Sequence, residues 1–424
     1  MWPPSWGSWS RLRTSSVAAS ETVLEDLLAA MRRAIAEIEE RSDRHVRILH
    51  HNDSDGLSSG AVLTRVFERK GFAVERVCLE KPYPVVLERV FEASDRLIVL
   101  TDFAGRIAPL ISDLNRGRNL VLILDHHKAE LPTDDRVHLL DPEIFGLRGD
   151  RDITASTTCY LFARAWDVAN ADLAPIATIG AVGDRFFVGG RLVGPNREAA
   201  LETVRQGRLS IEQDGEGERY IFVTPTGRIP VDRLARDLDT LGGAGYADGG
   251  PEMGIQVCLE GRSSASFEML HRLRVIQDRA FAEEIRRIRA GEMATTRNIQ
   301  WIHVHHRFAP MGVKMIGAFL DAIKNSLDVD PEKFLAGFQV IPSEVPGIGA
   351  FDFGQVKVSM RVSDLMGEGI RSGRELGLDV LLPQATAQVG GFSDACHSLT
   401  AATTLPIGCE AQLIDAMEEI LARR

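Results

Sequence analysis

Across residues 21–41 the apolar positions Leu24, Leu27, Leu28, Met31, Ile35 and Ile38 recur at three- and four-residue steps, the spacing of one helix face. Short apolar runs of strand length follow at 46–49, 72–78, 96–100 and 120–124, and helical spacing returns at 60–70, 157–167 and 173–182. Strands alternating with helices predict a mostly parallel sheet covered on both faces, with ligands bound beyond the carboxyl ends of its strands. The pattern loosens over 208–261, where the Gly-rich stretches 215–217 and 242–250 predict loops and a domain edge. Residues 264–291 form one long charged helical segment, and behind it 299–305, 334–341 and 356–362 read as strands, 314–325 and 410–423 as helices. The chain is expected to be an α/β protein of two lobes. An N-terminal parallel-sheet domain with its leading helix covers 21–207, a loose region and connector helix 208–297, and a smaller C-terminal α/β domain 298–424. Residues 1–20, rich in Trp, Ser and Pro, are expected to be a disordered leader rather than a signal peptide.

Composition narrows the functional classes. With 44% hydrophobic and 26% charged residues over 424 positions, the chain can bury two proper cores and is neither collagen-like nor disordered. The net charge of −11 argues against coating long nucleic acid by bulk attraction, and suits a site that gathers cations. Five scattered cysteines without a C-x-x-C fit a reducing compartment, so a cytoplasmic location is expected, with no zinc framework. No apolar run is long enough for a membrane span, so no membrane partner is expected.

Four polar clusters end apolar segments: His51-Asn52-Asp53-Ser54-Asp55-Gly56, then Asp102, then Asp125-His126-His127, then Gly183-Asp184. One Asp in such a place is often only a helix cap. Four in succession would converge on one rim of a parallel sheet, where uncompensated carboxylates raise each other's pKa values and destabilise the fold. Divalent cations resolve that conflict, and carboxylates mixed with imidazoles suit manganese, magnesium, cobalt or zinc. Two such ions form a clamp for phosphoryl hydrolysis.

The order and spacing of these motifs resemble the DHH phosphoesterase superfamily, strongly over 47–184 and more weakly from 298 to the C-terminus, where Val358-Ser-Met-Arg361 and Gly390-Gly-Phe-Ser-Asp-Ala-Cys396 resemble the associated substrate domain. The resemblance implies two divalent ions, manganese first and magnesium or cobalt as alternatives. His51 and Asp53 would hold one ion, Asp55, His126 and Asp184 the other, and Asp102 would bridge them. Asp125 would orient the imidazoles, His127 would face the substrate phosphate or leaving oxygen, and a water between the ions would attack in line. Ser156 matches a family position near the metals, and its bland alternative is an N-cap. Arg361 would grip a substrate phosphate that the amides of Gly390 and Gly391 approach. Where the family motif has His the chain has Phe392, with His397 five residues on; either His397 supplies the imidazole or Phe392 offers a stacking surface.

The implied activity is that of a RecJ-like exonuclease releasing mononucleotides from single-stranded DNA or short oligonucleotides. The alternatives are a cyclic-dinucleotide or small-phosphate hydrolase on the same ions, and a non-catalytic replication or repair scaffold. The implied partners are a single-stranded substrate and replication or repair proteins, and the chain is compatible with a homodimer. His303, His305 and His306 read as surface histidines of a strand, with a second metal site as the weaker option.

Overall fold

The computed structural model describes residues 9–225 and 227–423. The chain divides into two compact units, one of residues 1–242 with 251–263, the other of 243–250 with 264–424. Helix α1 runs over Trp9–Glu39, longer than the expected 21–41. Beyond Gly7 nothing before Gly56 breaks a helix by being Gly or Pro, so residues 9–20 of the expected leader are helical, and 1–8 lie outside the described residues.

The first unit continues β1 (His45–His50), α2 (Ser54–Arg69), β2 (Ala73–Cys78), α3 (Pro84–Val90), β3 (Leu97–Thr101), α4 (Ala108–Asn115), β4 (Leu120–Leu124) and β5 (Val137–Leu139). These strands form one parallel sheet in the order β2-β1-β3-β4-β5. Every residue of β3 and β4 is buried, which is why both read as unbroken apolar runs rather than alternating ones. The chain leaves β1 for one side and returns on the other, so the sheet has its switch point between β1 and β3. The register levels the strand ends there: His50 pairs with Thr101, and Thr101 with Leu124. The next residue on each strand is His51, Asp102 and Asp125, so three of the four motifs begin at one height by pairing alone.

Helices α5 (Ala155–Trp166), α6 (Ala174–Gly183) and α7 (Gly194–Arg205) follow, and α2, α5 and α6 pack together. Phe67 on α2 meets Trp166 edge-on at 5.2 Å and Phe72 at 5.3 Å, which closes the lower part of that packing. The region expected to be loose is more ordered than its glycines suggest. β6 (Leu209–Asp214), β7 (Gly217–Thr224) and β8 (Gly227–Pro230) make an antiparallel sheet, and Gly215, at φ +60°, supplies the tight turn between the first two. Helices α8 (Val231–Gly243) and α9 (Gly250–Glu260) flank the second glycine stretch.

The second unit opens with α10 (Ser264–Arg287), the expected long helix. Its sheet contains β9 (Ala294–Thr295), β10 (Ile299–His305), β11 (Phe334–Val340), β14 (Gln355–Arg361), β15 (Phe392–Cys396) and β16 (Thr400–Pro406), with a small hairpin β12 (Glu344–Val345) and β13 (Gly349–Ala350) beside it. The order is β15-β16-β14-β11-β10-β9, and only β10 and β11 run parallel, joined through α11 (Lys314–Ile323). Between the sheet and helices α13 (Leu378–Gln388) and α14 (Glu410–Ala422) lies a core that includes Phe338, Val358, Met360, Leu381 and Met417. α12 (Asp364–Arg371) is capped by Ser363, which accepts from the Met366 N–H.

One buried charge stands out in this unit. Glu284 on α10 is 3% exposed and receives both arms of Arg307, at 2.5 and 2.9 Å. Removing the arginine leaves that carboxylate with only Arg287, 3.8 Å away and not hydrogen-bonded to it, so Arg307→Ala is expected to cost about 2–4 kcal/mol in urea unfolding. The surface pair Arg289–Asp328 makes contacts of 3.0–3.1 Å in reach of water. Arg289→Ala is therefore expected to leave the urea-unfolding midpoint nearly unchanged.

Candidate metal centre

The site forms at the level strand ends. Asp53 caps α2 by accepting from the Gly56 N–H at 3.0 Å, which starts that helix inside the motif and six residues earlier than its spacing predicts. The other carboxylate oxygen of Asp53 lies 2.9 Å from His51 Nδ1, and Asp102 Oδ2 lies 3.1 Å from the same nitrogen. Asp102 takes a left-handed backbone, φ +64°, held by its N–H on the Leu124 carbonyl. An L-residue there is strained, and the neighbouring strand over-determines it.

Asp102 Oδ1 turns the other way, to His126 Nε2 at 3.4 Å. Asp184 Oδ2 and Asp55 Oδ2 stand 3.5 and 3.9 Å from that nitrogen. Asp55 sits in the first turn of α2 and is wholly buried; its two oxygens accept from the N–H groups of Ala155 and Ser156, which open α5. Asp184 follows the last turn of α6. His126 Nδ1 donates to the Gly149 carbonyl at 2.7 Å, which leaves Nε2 facing the three carboxylates. Asp125 is given over to orientation: Oδ1 accepts from the His126 N–H and from His127 Nδ1, both at 2.8 Å, and Oδ2 from the Gly105 N–H.

Electrostatics mark the same centre. Burial, reinforced by Asp102, pushes the Asp55 carboxyl up to about 7. Burial, joined by Asp55, raises Asp184 well above the usual carboxylate range. Burial opposes charge on His126, but Asp102, Asp184 and Asp55 outweigh it and hold the imidazole well above its ordinary value. Asp125 goes the other way, because His127, His126 and the Gly105 amide overcome the cost of its burial and keep it ionised.

The residues fit divalent cations. His51, Asp53 and Asp102 form one group and Asp55, His126 and Asp184 another, each offering ligand atoms within 4.8 Å of one another. Ligand atoms about 2.1 Å from one ion at tetrahedral or octahedral angles lie about 3.0–3.4 Å apart, close to the spacing around His126 Nε2 and too wide for good hydrogen bonds. Asp184 Oδ2 is buried without a hydrogen-bond partner, an arrangement a cation would satisfy. A third grouping of Asp102, Asp125, His126 and His127 also falls within 4.8 Å, but Asp125 Oδ1 already accepts from both the His126 N–H and His127 Nδ1, whereas each Asp55 oxygen accepts a single N–H.

The substrate residues are placed less uniformly. Ser156 is fully buried; its hydroxyl donates to the Ala177 carbonyl and its N–H holds Asp55, so it positions that carboxylate rather than reaching outward. Arg361, at the end of β14, is held by Asp321 on α11 at 2.9 Å. It pairs with Thr400, beside which exposed His397 donates its N–H to the Thr400 carbonyl. Gly391 lies against Thr404, four residues along β16, and Phe392 pairs with Thr404. That is about 13 Å of strand, so the fold does not bring Gly390 and Gly391 to the end that carries Arg361 and His397.

His303 and His305 stack at 3.8 Å, and the His305 N–H donates to His303 Nδ1, which turns His303 Nε2 to Glu410 at 3.4 Å. This is a satisfied strand-end cluster, and no metal-competent group includes it among the described residues. The Gly149 carbonyl behind His126 and Asp239, which accepts from the Ser54 N–H at 2.8 Å, lie too far along the chain from the motifs for any local signal to mark them.

Two outcomes are expected. Gly180 on α6 lies where a Cβ would come within 2.2 Å of both Asp55 Oδ1 and Ser156 Oγ. Gly180→Ala should therefore weaken manganese binding by about 10- to 100-fold in calorimetric titration while far-UV circular dichroism is retained. Without cations, Asp55 binds an extra proton in the folded state between its ordinary 3.8 and about 7, so stability falls as pH rises through that window. His126 adds stability below its ordinary 6.5 that is also lost as pH rises through its raised value, whereas the lowered Asp125 acts only below the window. Thermal unfolding in chelator should show Tm falling from about pH 5 to about pH 8, and added manganese should raise Tm most at the alkaline end.

No family model matches the chain. It is 32% identical over 143 residues to the uncharacterized protein MJ0831 of Methanocaldococcus jannaschii, a match covering 33% of each protein. Among solved structures it superposes on RecJ of Thermus thermophilus in complex with Mn2+ at a TM-score of 0.61 and 16% identity, over 93% of this chain and 55% of that one. It also superposes on the PF0399 DHH domain, described as a member of the s1p family of ribosomal proteins, at a TM-score of 0.60 and 14% identity, over 96% and 91% of the two chains. The chain thus spans a third of the curated relative and about half of the Thermus protein. With its strand-end cluster of acids and imidazoles, the chain has the fold of the RecJ and DHH-domain proteins.

Proposed function

We propose that the chain is a phosphodiesterase working with two divalent cations, which cuts single-stranded DNA or short oligonucleotides to mononucleotides. The observation that carries this reading is Asp102, whose two oxygens face two separate ligand groups, one around His51 and one around His126. His51 and Asp53 would hold one cation, Asp55, His126 and Asp184 the other, with Asp102 shared. Bound there, the cations would make a water acidic enough to attack at neutral pH and would neutralise charge on the phosphoryl group. Manganese is the first choice because of the imidazole and carboxylate donors, and the similar RecJ structure was solved with Mn2+.

His127 supplies the proton chemistry. Its side chain is half-exposed, and Nδ1 on Asp125 leaves Nε2 directed away from that carboxylate. Burial and the neighbouring His126 oppose its charge, but Asp125 outweighs them and raises its pKa, so the imidazole can give a proton to a leaving oxygen. The acidic net charge favours short substrates, since each phosphate brought to an acidic surface adds repulsion.

The test is hydrolysis of 5′-labelled and 3′-labelled single-stranded oligonucleotides of several lengths in manganese. Mononucleotide release is expected, abolished in Asp184→Asn through loss of cation binding. His127→Ala should lower kcat by about 10²- to 10⁴-fold with manganese binding retained. Oligonucleotides left intact by a wild-type protein that binds two manganese ions would overturn the reading in favour of a cyclic dinucleotide or small phosphate.

A further inference from the structure

Of the side chains in ring contact with a candidate ligand, two are phenylalanines, and they differ in kind. Phe103 meets His51 edge-on at 6.4 Å but is only 7% exposed, so it packs beneath the site. Phe186 lies 5.9 Å from His126, tilted by 52°, and is only half-buried. His127 sits on the other ring contact of His126, at 4.2 Å, so the proton donor, a candidate ligand and Phe186 form a row of rings along the centre.

The backbone holds Phe186 in place. Arg185, directly after Asp184, has φ +60°, a conformation an L-residue keeps only when its surroundings enforce it. The Phe187 N–H closes on the Arg185 carbonyl at 2.8 Å, which puts Phe186 at the apex of a three-residue turn. Phe187 is pinned by stacking on Tyr220 at 6.2 Å and 17°, and Gly190 accepts from the Glu218 N–H. The exposed Arg185 guanidinium makes no hydrogen bond or ion pair among the described residues. Beside a centre made of carboxylates and imidazoles, this segment adds one flat apolar surface and one cation.

We propose that Phe186 is a specificity residue, a stacking platform for the nucleobase next to the scissile phosphate, with Arg185 reaching a neighbouring phosphate. This rests on the phosphodiesterase reading and deepens it, because a platform of this kind selects nucleotides over polyphosphates or sugar phosphates, which have no base to stack. Base–aromatic stacking is worth about 1–3 kcal/mol, or about 5- to 150-fold in affinity.

The test measures binding by calorimetry in manganese, with deoxyadenosine 5′-monophosphate and 2-deoxyribose 5-phosphate as probes, neither of which holds a phosphodiester. The wild type should prefer the nucleotide by about tenfold or more. Phe186→Ala and Phe186→Leu should erase that preference, whereas Phe186→Trp should keep it. In turnover of a short oligonucleotide, Phe186→Ala should raise KM far more than it lowers kcat. Manganese titration checks that each variant keeps an intact centre. A preference that survives in Phe186→Ala, or that the wild type lacks, overturns the proposal. A wild type that prefers the nucleotide through Phe186 yet cleaves no oligonucleotide supports the platform and overturns only the exonuclease reading.

Discussion

The first unit is organised around a conflict of like charges. Asp55, Asp102 and Asp184 converge on His126, the first two buried and Asp184 partly so, and no lysine or arginine is ion-paired to any of them among the described residues. Such a cluster persists only with protons or cations inside it, and the raised carboxyls of Asp55 and Asp184 are the protonated answer. Much else in the unit serves that arrangement. The level register of β1, β3 and β4 brings the residues together, the opening turn of α5 clamps Asp55, and Gly180 leaves room where α6 passes close to it.

The sequence makes this centre legible because its chemistry is local to strand ends. An apolar run stops and an acid or imidazole follows, parallel pairing levels three of the four motifs and helix α6 brings Asp184 to them, so spacing and resemblance together name six ligand candidates. What stays hidden depends on contacts between distant segments. The Gly149 carbonyl that turns His126 is 23 residues away from it, and Asp239 reaches Ser54 across 185. The early start of α2 is obscured because Asp53 serves as both cap and ligand candidate, and apolar spacing registers neither role.

Glycine marks two different things in the middle of the chain. Clusters at 215–217 and 242–250 predict loops and a domain edge, which the second supplies as a turn between two helices at the boundary of the two units, whereas the first is a tight hairpin turn inside a three-stranded sheet. A single positive φ demands the same residue that a long loop tolerates, and composition does not separate the two. The second unit shows a comparable limit. Arg361 and Gly391 lie on motifs that the family resemblance joins at one phosphate, but antiparallel register assigns them to positions four residues apart along β16.

Both oxygens of Asp55 are already committed to backbone amides of α5, which makes this carboxylate a fixed point rather than a swinging arm. Calcium favours carboxylates that can open to embrace it through two oxygens and tolerates irregular shells, whereas smaller cations accept one oxygen each at a set angle. A cation held beside such a carboxylate would be offered one oxygen at a set angle, a demand that the smaller divalent ions meet more readily than calcium.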